Sequence, residues 1–180
     1  SNHCDQAYPA IVATGKNGCT LHYTDNNSPL MKNDLLLVDA AAEYNNYASD
    51  ITRTIPVSGK FSLHQTIIYK IVLNAQMMAI KSCKPGKTLV EIHNVAVKYI
   101  TKGLIEAKIL KGSVQRNINT QAYKKFYMHN TGHWLGLDVH DPCPYVLKNK
   151  PIKLKPGMIF TVEPGIYINK DSDVNKNFHN

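Results

Sequence analysis

The spacing of apolar and polar positions changes twice along the 180 residues. To about residue 61 the apolar positions form short strand-like runs, from there to about residue 110 they recur at helical spacing, and strands with turns follow, which is an α+β order. Leu35-Leu36-Leu37-Val38-Asp39 reads as a buried strand and Tyr47 to Thr54 as a second, with the turn-forming pair Asn45-Asn46 between them. Ser62 and Gln65 make a capping-box signature ahead of Ile67, Ile68, Ile71, Val72, Ala75, Met78 and Ala79, and Lys84-Pro85-Gly86 stops that helix. Thr88 and Glu91 open a second helix in the same way, with Ile92, Val95, Ala96, Tyr99 and Ile100 on one face toward Leu104. Both read as scaffold covering a sheet. A polar stretch from residue 110 through Gln121 leads into Phe126 to His140, and Lys155-Pro156-Gly157 precedes a strand-like Met158 to Val162. The chain shows no repeat or low-complexity linker, and its polar end lacks a closing element, as expected of a disordered tail or a chain cut inside a domain.

Composition narrows this picture. With 43% apolar and 19% charged residues, the chain fits one soluble domain or a large piece of one, and disorder and collagen are excluded. Its apolar runs fall far short of the roughly 20 residues that span a bilayer, so no membrane partner is expected. The charge is +8, yet Arg53 and Arg116 are the only arginines and the lysines are scattered. Nucleic-acid sites cluster their basic residues and favour Arg, so the charge reads as solvated surface and no nucleic-acid partner is expected. Cys4, Cys19, Cys83 and Cys143 lie far apart without a C-x-x-C pair, which suits reduced thiols in a cytoplasm and argues against a structural zinc knuckle. No signal peptide opens the chain, and Ser1-Asn2 reads as an expression scar.

The chemistry gathers in three places. A two-residue loop at Asn45-Asn46 sets Tyr44 opposite Tyr47, Ala41 opposite Asp50 and Asp39 opposite Thr52, so Asp39 and Asp50 are diagonal neighbours on one face, roughly 7 to 8 Å apart by backbone. Two acids on a core-facing side need cations. They are either a metal pair, or one makes a turn hydrogen bond while the other pairs with Arg53 or a lysine. The second place is Met128 to Asp141, where His129, His133 and His140 are threaded through glycines and apolar positions; each is either a structural histidine or a ligand and proton carrier. The third is Glu163, which ends Met158-Ile159-Phe160-Thr161-Val162 ahead of Pro164-Gly165 and needs a partner or an ion if buried. Two Asp, a His and a Glu suit Mn²⁺, Fe²⁺ or Co²⁺ better than the thiolate-rich set of structural zinc does.

Four ordered stretches resemble the pita-bread metallopeptidases, in the Xaa-Pro aminopeptidase (aminopeptidase P) and prolidase branch. They are Leu36 to Ala40 with Glu43-Tyr44, Tyr47 to Thr54, Gly132 to Asp141, and Pro156-Gly157-Met158 through Thr161-Val162-Glu163-Pro164-Gly165; Gly15 to Cys19 and Leu21 to Thr24 extend the likeness. The resemblance implies an α+β pita-bread (creatinase/aminopeptidase-like) fold, incomplete at both ends, with residues 1–180 a partial catalytic domain. It places Asp39, Asp50, His133 and Glu163 as ligands of two divalent ions, Mn²⁺ first and Co²⁺, Fe²⁺ or Zn²⁺ as alternatives, with Asp50 bridging. His22, His129 and His140 fall on substrate-handling histidines. The implied activity is hydrolysis of the amino-terminal Xaa-Pro bond by a hydroxide that two metal ions activate. In that scheme His140 stabilises the carbonyl oxygen and Glu163 is both ligand and proton shuttle. The substrate is a peptide with proline second, the setting cytoplasmic, and the full-length protein a homo-oligomer. A second bridging Glu, in a Gly-x-Arg-x-Glu stretch, is not reached before Phe178-His179-Asn180, so weak or single-ion binding and little activity are expected of this chain alone. The rivals are a prolidase confined to Xaa-Pro dipeptides and a catalytically inactive pita-bread binding module.

Overall fold

Three antiparallel lines of chain pair side by side and break at the same level. In the computed structural model, which describes residues 3–178 and so leaves Ser1-Asn2 and His179-Asn180 outside, β1 (Cys4–Gln6) and β2 (Ile11–Thr14) make one outer line. β3 (Leu35–Asp39) and β4 (Ala42–Tyr44) make the middle line, and β5 (Tyr47–Ala48) with β6 (Thr52–Pro56) the other. The pairing orders are β1-β4-β5 on one side of the break and β2-β3-β6 on the other. Asn45 and Asn46 have φ of 51° and 61°, the left-handed pair of a tight hairpin turn. Tyr44 lies opposite Tyr47 and Asp39 opposite Thr52, the register that loop predicts.

Two expectations for this region are corrected. Tyr47 to Thr54 is not one strand: Ser49 to Ile51 leave the ladder, where the Ser49 hydroxyl donates to the Ala42 carbonyl at 2.6 Å and the Ala40 N–H to the Ile51 carbonyl at 3.2 Å. The register is the same on both sides of the interruption, Glu43 opposite Ala48 and Asp39 opposite Thr52, so no residue is inserted there. β3 is half-buried along its whole length rather than buried.

The chain divides into two compact units. The sheets belong to the first, made of the described residues up to Thr66, Leu135–Asp141 and those from Tyr167 onward; the second comprises Ile67–Trp134 and Pro142–Ile166. α1 (Leu63–Ser82) has its first turn in the first unit, and its capping box forms: the Ser62 N–H donates to Gln65 Oε1 at 2.9 Å and the Gln65 N–H to Ser62 Oγ at 3.2 Å. Of its apolar positions only Ala75 and Ala79 are fully buried, while Leu73, Met77 and Ile80 are exposed.

α2 (Leu89–Glu106) starts at the Thr88 capping box, and the Lys87 ammonium, with the Thr88 N–H, holds the Glu91 carboxyl below its usual range. It buries Ile92, Ala96, Val97, Ile100, Thr101 and Leu104. Val97 is in that stripe, whereas the expected Val95 and Tyr99 are only half-buried. A Cβ on Gly103 would collide with Ile71, which marks the close approach of α1 and α2 within the second unit.

The polar stretch after residue 110 holds a short helix the periodicity misses, α3 (Val114–Asn119), capped by the Ser113 hydroxyl on the Arg116 N–H. Met158 to Val162 does not form a strand. It runs along 131–134 with one bridge, Trp134 to Phe160, and backbone bonds from Thr161 to His133 and from Glu163 to Thr131. The ladder stays too short and irregular to be a regular strand. β7 (Val146–Leu147) and β8 (Lys150–Pro151) close an exposed hairpin at Lys148-Asn149. The polar end carries a single 3-10 turn at Lys176–Phe178. Among the described residues, no helix is long and apolar enough to cross a membrane.

Candidate metal centre

In the first unit, the break in the sheet gathers two acids around one hydroxyl. Asp39 ends β3, Asp50 lies in the step before β6, and Tyr8 lies in the step between β1 and β2. The Tyr8 hydroxyl donates to Asp39 Oδ1 and stands 3.1 Å from Asp50 Oδ1, while the Ile51 N–H donates to the Tyr8 oxygen at 3.4 Å. A phenol has one proton and cannot serve two carboxylates at once. Burial, then the bond to Asp39, pushes the Tyr8 hydroxyl far above its ordinary pKa, so it remains a neutral donor. Two half-buried anions converging on one neutral proton donor fit a divalent cation, whose charge would offset their repulsion. Tyr8 carries no signal in the sequence, where it is one of ten tyrosines with no motif around it. Arg53, the alternative partner for these acids, directs Nη1 to the Thr52 carbonyl at 2.8 Å.

In the second unit, His133 and Glu163 face each other. His133 Nδ1 lies 2.9 Å from the Trp134 carbonyl oxygen, and since a carbonyl only accepts, Nδ1 carries a proton. Nε2 stands 3.2 Å from Glu163 Oε1. An imidazole nitrogen and a carboxylate oxygen at that distance need a proton or a cation between them. The side chains are 16% and 33% exposed, so both are reachable yet partly desolvated. Their backbones are drawn together at Gly132, where any Cβ would run into the Thr161 carbonyl oxygen. Trp134 secures the far side, its indole N–H donating to the Pro144 carbonyl at 3.1 Å and its ring edge-on to Phe160.

A buried polar cluster backs this segment. The Thr131 N–H donates to His93 Nδ1 at 3.2 Å, the Thr131 hydroxyl lies 2.9 Å from the same nitrogen, and the Tyr127 hydroxyl lies 2.6 Å from Thr131 Oγ1. His93 is therefore an acceptor at Nδ1 and neutral. Burial, followed by the charges of His129 and Lys124, holds its pKa below the ordinary value. In the sequence His93 is hidden inside the α2 pattern, next to the core residue Ile92.

The remaining histidines divide between the units. His22 and His140 are both exposed in the first unit with ring centroids 6.3 Å apart, and His22 has a φ of 57°. The segment leading to His140 is tied to β5 by the Ala48 N–H, which donates to the Gly136 carbonyl at 2.9 Å. His129 is half-buried in the second unit, edge-on to Tyr127 at 5.1 Å, with Nδ1 2.7 Å from the Asn130 carbonyl.

Residues 2–177 match the sequence model of metallopeptidase family M24. The chain is 50% identical over 176 residues to the Xaa-Pro aminopeptidase of Haemophilus influenzae, an alignment covering 97% of this chain and 41% of that protein. Against the Xaa-Pro aminopeptidase of Escherichia coli it is 46% identical over 168 residues, 93% of this chain and 38% of that one. Among solved structures it is similar to Pseudomonas aeruginosa aminopeptidase PepP, with a TM-score of 0.95 at 47% identity over 97% of this chain and 40% of that chain. Zinc-substituted E. coli aminopeptidase P in complex with product gives a TM-score of 0.93 at 44% identity, covering 97% and 39%. The chain thus spans about two fifths of the length of the curated relatives it matches.

Proposed function

The chain belongs to metallopeptidase family M24, and on that premise we propose that residues 1–180 are part of the catalytic domain of a metal-dependent Xaa-Pro aminopeptidase. Its fold is the α+β pita-bread fold of the aminopeptidase P structures. The reading rests first on the His133–Glu163 pair, which brings an imidazole nitrogen to 3.2 Å from a carboxylate oxygen. The convergence of Asp39 and Asp50 on the single Tyr8 hydroxyl supports it.

We take Asp39, Asp50, His133 and Glu163 as the residues that would hold two divalent ions. Three carboxylates and one imidazole are an oxygen-rich set that suits Mn²⁺, with Co²⁺, Fe²⁺ or Zn²⁺ as substitutes. Divalent ions held there supply an activated water near neutral pH and polarise the scissile carbonyl. The residues do the rest. An imidazole N–H of His140, beside His22, donates to the oxygen on which charge develops. Glu163 carries a proton to the proline nitrogen, which leaves as an amine only once protonated. His129 contacts the peptide. The substrate is a peptide with proline second, and the longer protein is cytoplasmic and homo-oligomeric.

The test is a calorimetric Mn²⁺ titration of this chain and of Asp50→Ala, joined to release of the first residue from an Xaa-Pro-Yaa tripeptide by the longer protein. Binding in the wild type that is lost in Asp50→Ala, with tripeptide cleavage, is the expected result. Equal binding in both proteins removes the metal reading, and cleavage of dipeptides alone turns the assignment to prolidase.

A further inference from the structure

Thr161 links the two ligand candidates of the second unit through one hydroxyl. Its Oγ1 lies 2.9 Å from the backbone nitrogen of His133 and 2.9 Å from Glu163 Oε1, and its own N–H donates to the His133 carbonyl at 2.9 Å. The proton positions follow from these partners. An amide N–H can only donate, so the hydroxyl accepts from His133, and its single proton is left for the carboxylate. We propose that Thr161 is the positioning residue of this centre, orienting the Glu163 carboxylate toward a divalent cation before any ion arrives.

The inference rests on the metal reading above and deepens it. Glu163 cannot turn its carboxylate without giving up the Thr161 bond, and Thr161 cannot turn its hydroxyl without leaving the His133 N–H unpaired. A β-branched side chain is stiff about χ1, which keeps the hydroxyl in place. The backbone contributes as well, because Gly132 lets the 131–134 segment approach close enough for that hydroxyl to reach both groups. His133 is thus fixed at its amide and Glu163 at one carboxylate oxygen by the same atom. Outer partners of this kind change metal affinity by about 10- to 100-fold when removed.

The experiment is a Mn²⁺ titration by calorimetry of this chain as wild type, Thr161→Val and Thr161→Ser, with circular dichroism to follow the fold. Thr161→Val is expected to bind about 10- to 100-fold more weakly, and Thr161→Ser within about threefold of wild type, since it keeps the hydroxyl. A packing role predicts the opposite order, because valine keeps the branched shape and serine loses a methyl group. Thr161→Cys puts a weak thiol donor in the same place and should fall between the two, which keeps the test readable if the valine variant does not fold. The proposal is overturned if Thr161→Val binds as wild type does, or if serine is as weak as valine, or if cysteine is as tight as serine. A wild type that binds no Mn²⁺ overturns the metal reading itself, whereas wild-type binding with an indifferent Thr161→Val overturns this inference alone.

Discussion

The acidic half and the histidine half of the proposed centre are held by different means. Asp39 is fixed by backbone: β3 pairs with β2 on one side and β6 on the other, and a two-residue loop sets the register toward Asp50. His133 and Glu163 sit on segments with one bridge and two backbone bonds between them, and side chains add the rest: the Thr161 hydroxyl reaches His133 across 28 residues, and His93 reaches Thr131 across 38. A ladder places a ligand by counting residues, and many side chains can ride on it. A side-chain lattice places one by particular donors and acceptors, and few substitutions preserve it.

That contrast can be broken at several points. The largest effect is expected from Asp50→Ala, which should weaken Mn²⁺ binding by more than about 100-fold, beyond the range for outer partners, while calorimetric unfolding still shows one cooperative transition. A drop of only a few fold would take the acidic half out of the ligand set. Gly132→Ala comes next. Its Cβ meets backbone that cannot swing aside, so urea unfolding should show a loss of about 3 kcal/mol, the upper end for overpacking. A smaller loss would mean that the histidine half does not depend on that approach.

His93→Leu removes the acceptor of a buried threonine's N–H and should cost about 2 kcal/mol. It also tests the pH dependence. The folded pKa of His93 lies below its ordinary 6.5, so the unfolded chain takes the proton first. The stability that neutral His93 contributes is complete above pH 6.5 and is lost as the pH falls from there through the folded value. Urea midpoints between neutral and acidic pH should therefore fall less steeply in His93→Leu than in wild type; equal slopes would remove His93 as the titrating group. The smallest effect falls on the acidic half: Asn46→Ala, at φ 61°, should cost about 1 kcal/mol in the same urea experiment. A much larger loss would show that the ladder depends on that turn more than on its own pairing.

Local interactions made much of this legible in the sequence. The Asn45-Asn46 loop and the two capping boxes each depend on residues within a few positions, and the structure shows all three. The convergence of Asp39 and Asp50 follows from the same hairpin arithmetic. What the sequence conceals is non-local or opposed to its pattern. Tyr8 meets Asp39 and Asp50 across 31 and 42 positions, and His93 is masked by the apolar periodicity of α2. Met158 to Val162 has the composition of a strand, but pairing needs a regular neighbour, and 131–134 offers only an irregular one. α3 is six residues long with only Val114 and Ile118 apolar, too short for a periodic pattern, and is marked chiefly by its Ser113 cap.

The shared break in the sheet also fixes how long the chain can be there. The outer line of β1 and β2 changes register across the break, Cys4 opposite Tyr44 before and Ile11 opposite Asp39 after, while the other two lines keep one register from Glu43 opposite Ala48 to Asp39 opposite Thr52. Inserting or deleting a single residue in Ala7–Ala10, Ala40–Ala41 or Ser49–Ile51 would put one of the two sheets out of step and turn its side chains to the opposite face. Length variation is thereby confined to connections such as residues 15–34, outside the paired lines. Around the acids the fold specifies spacing as strictly as residue type, so a homologue's hairpin could be grafted here only if it matched residue for residue in length.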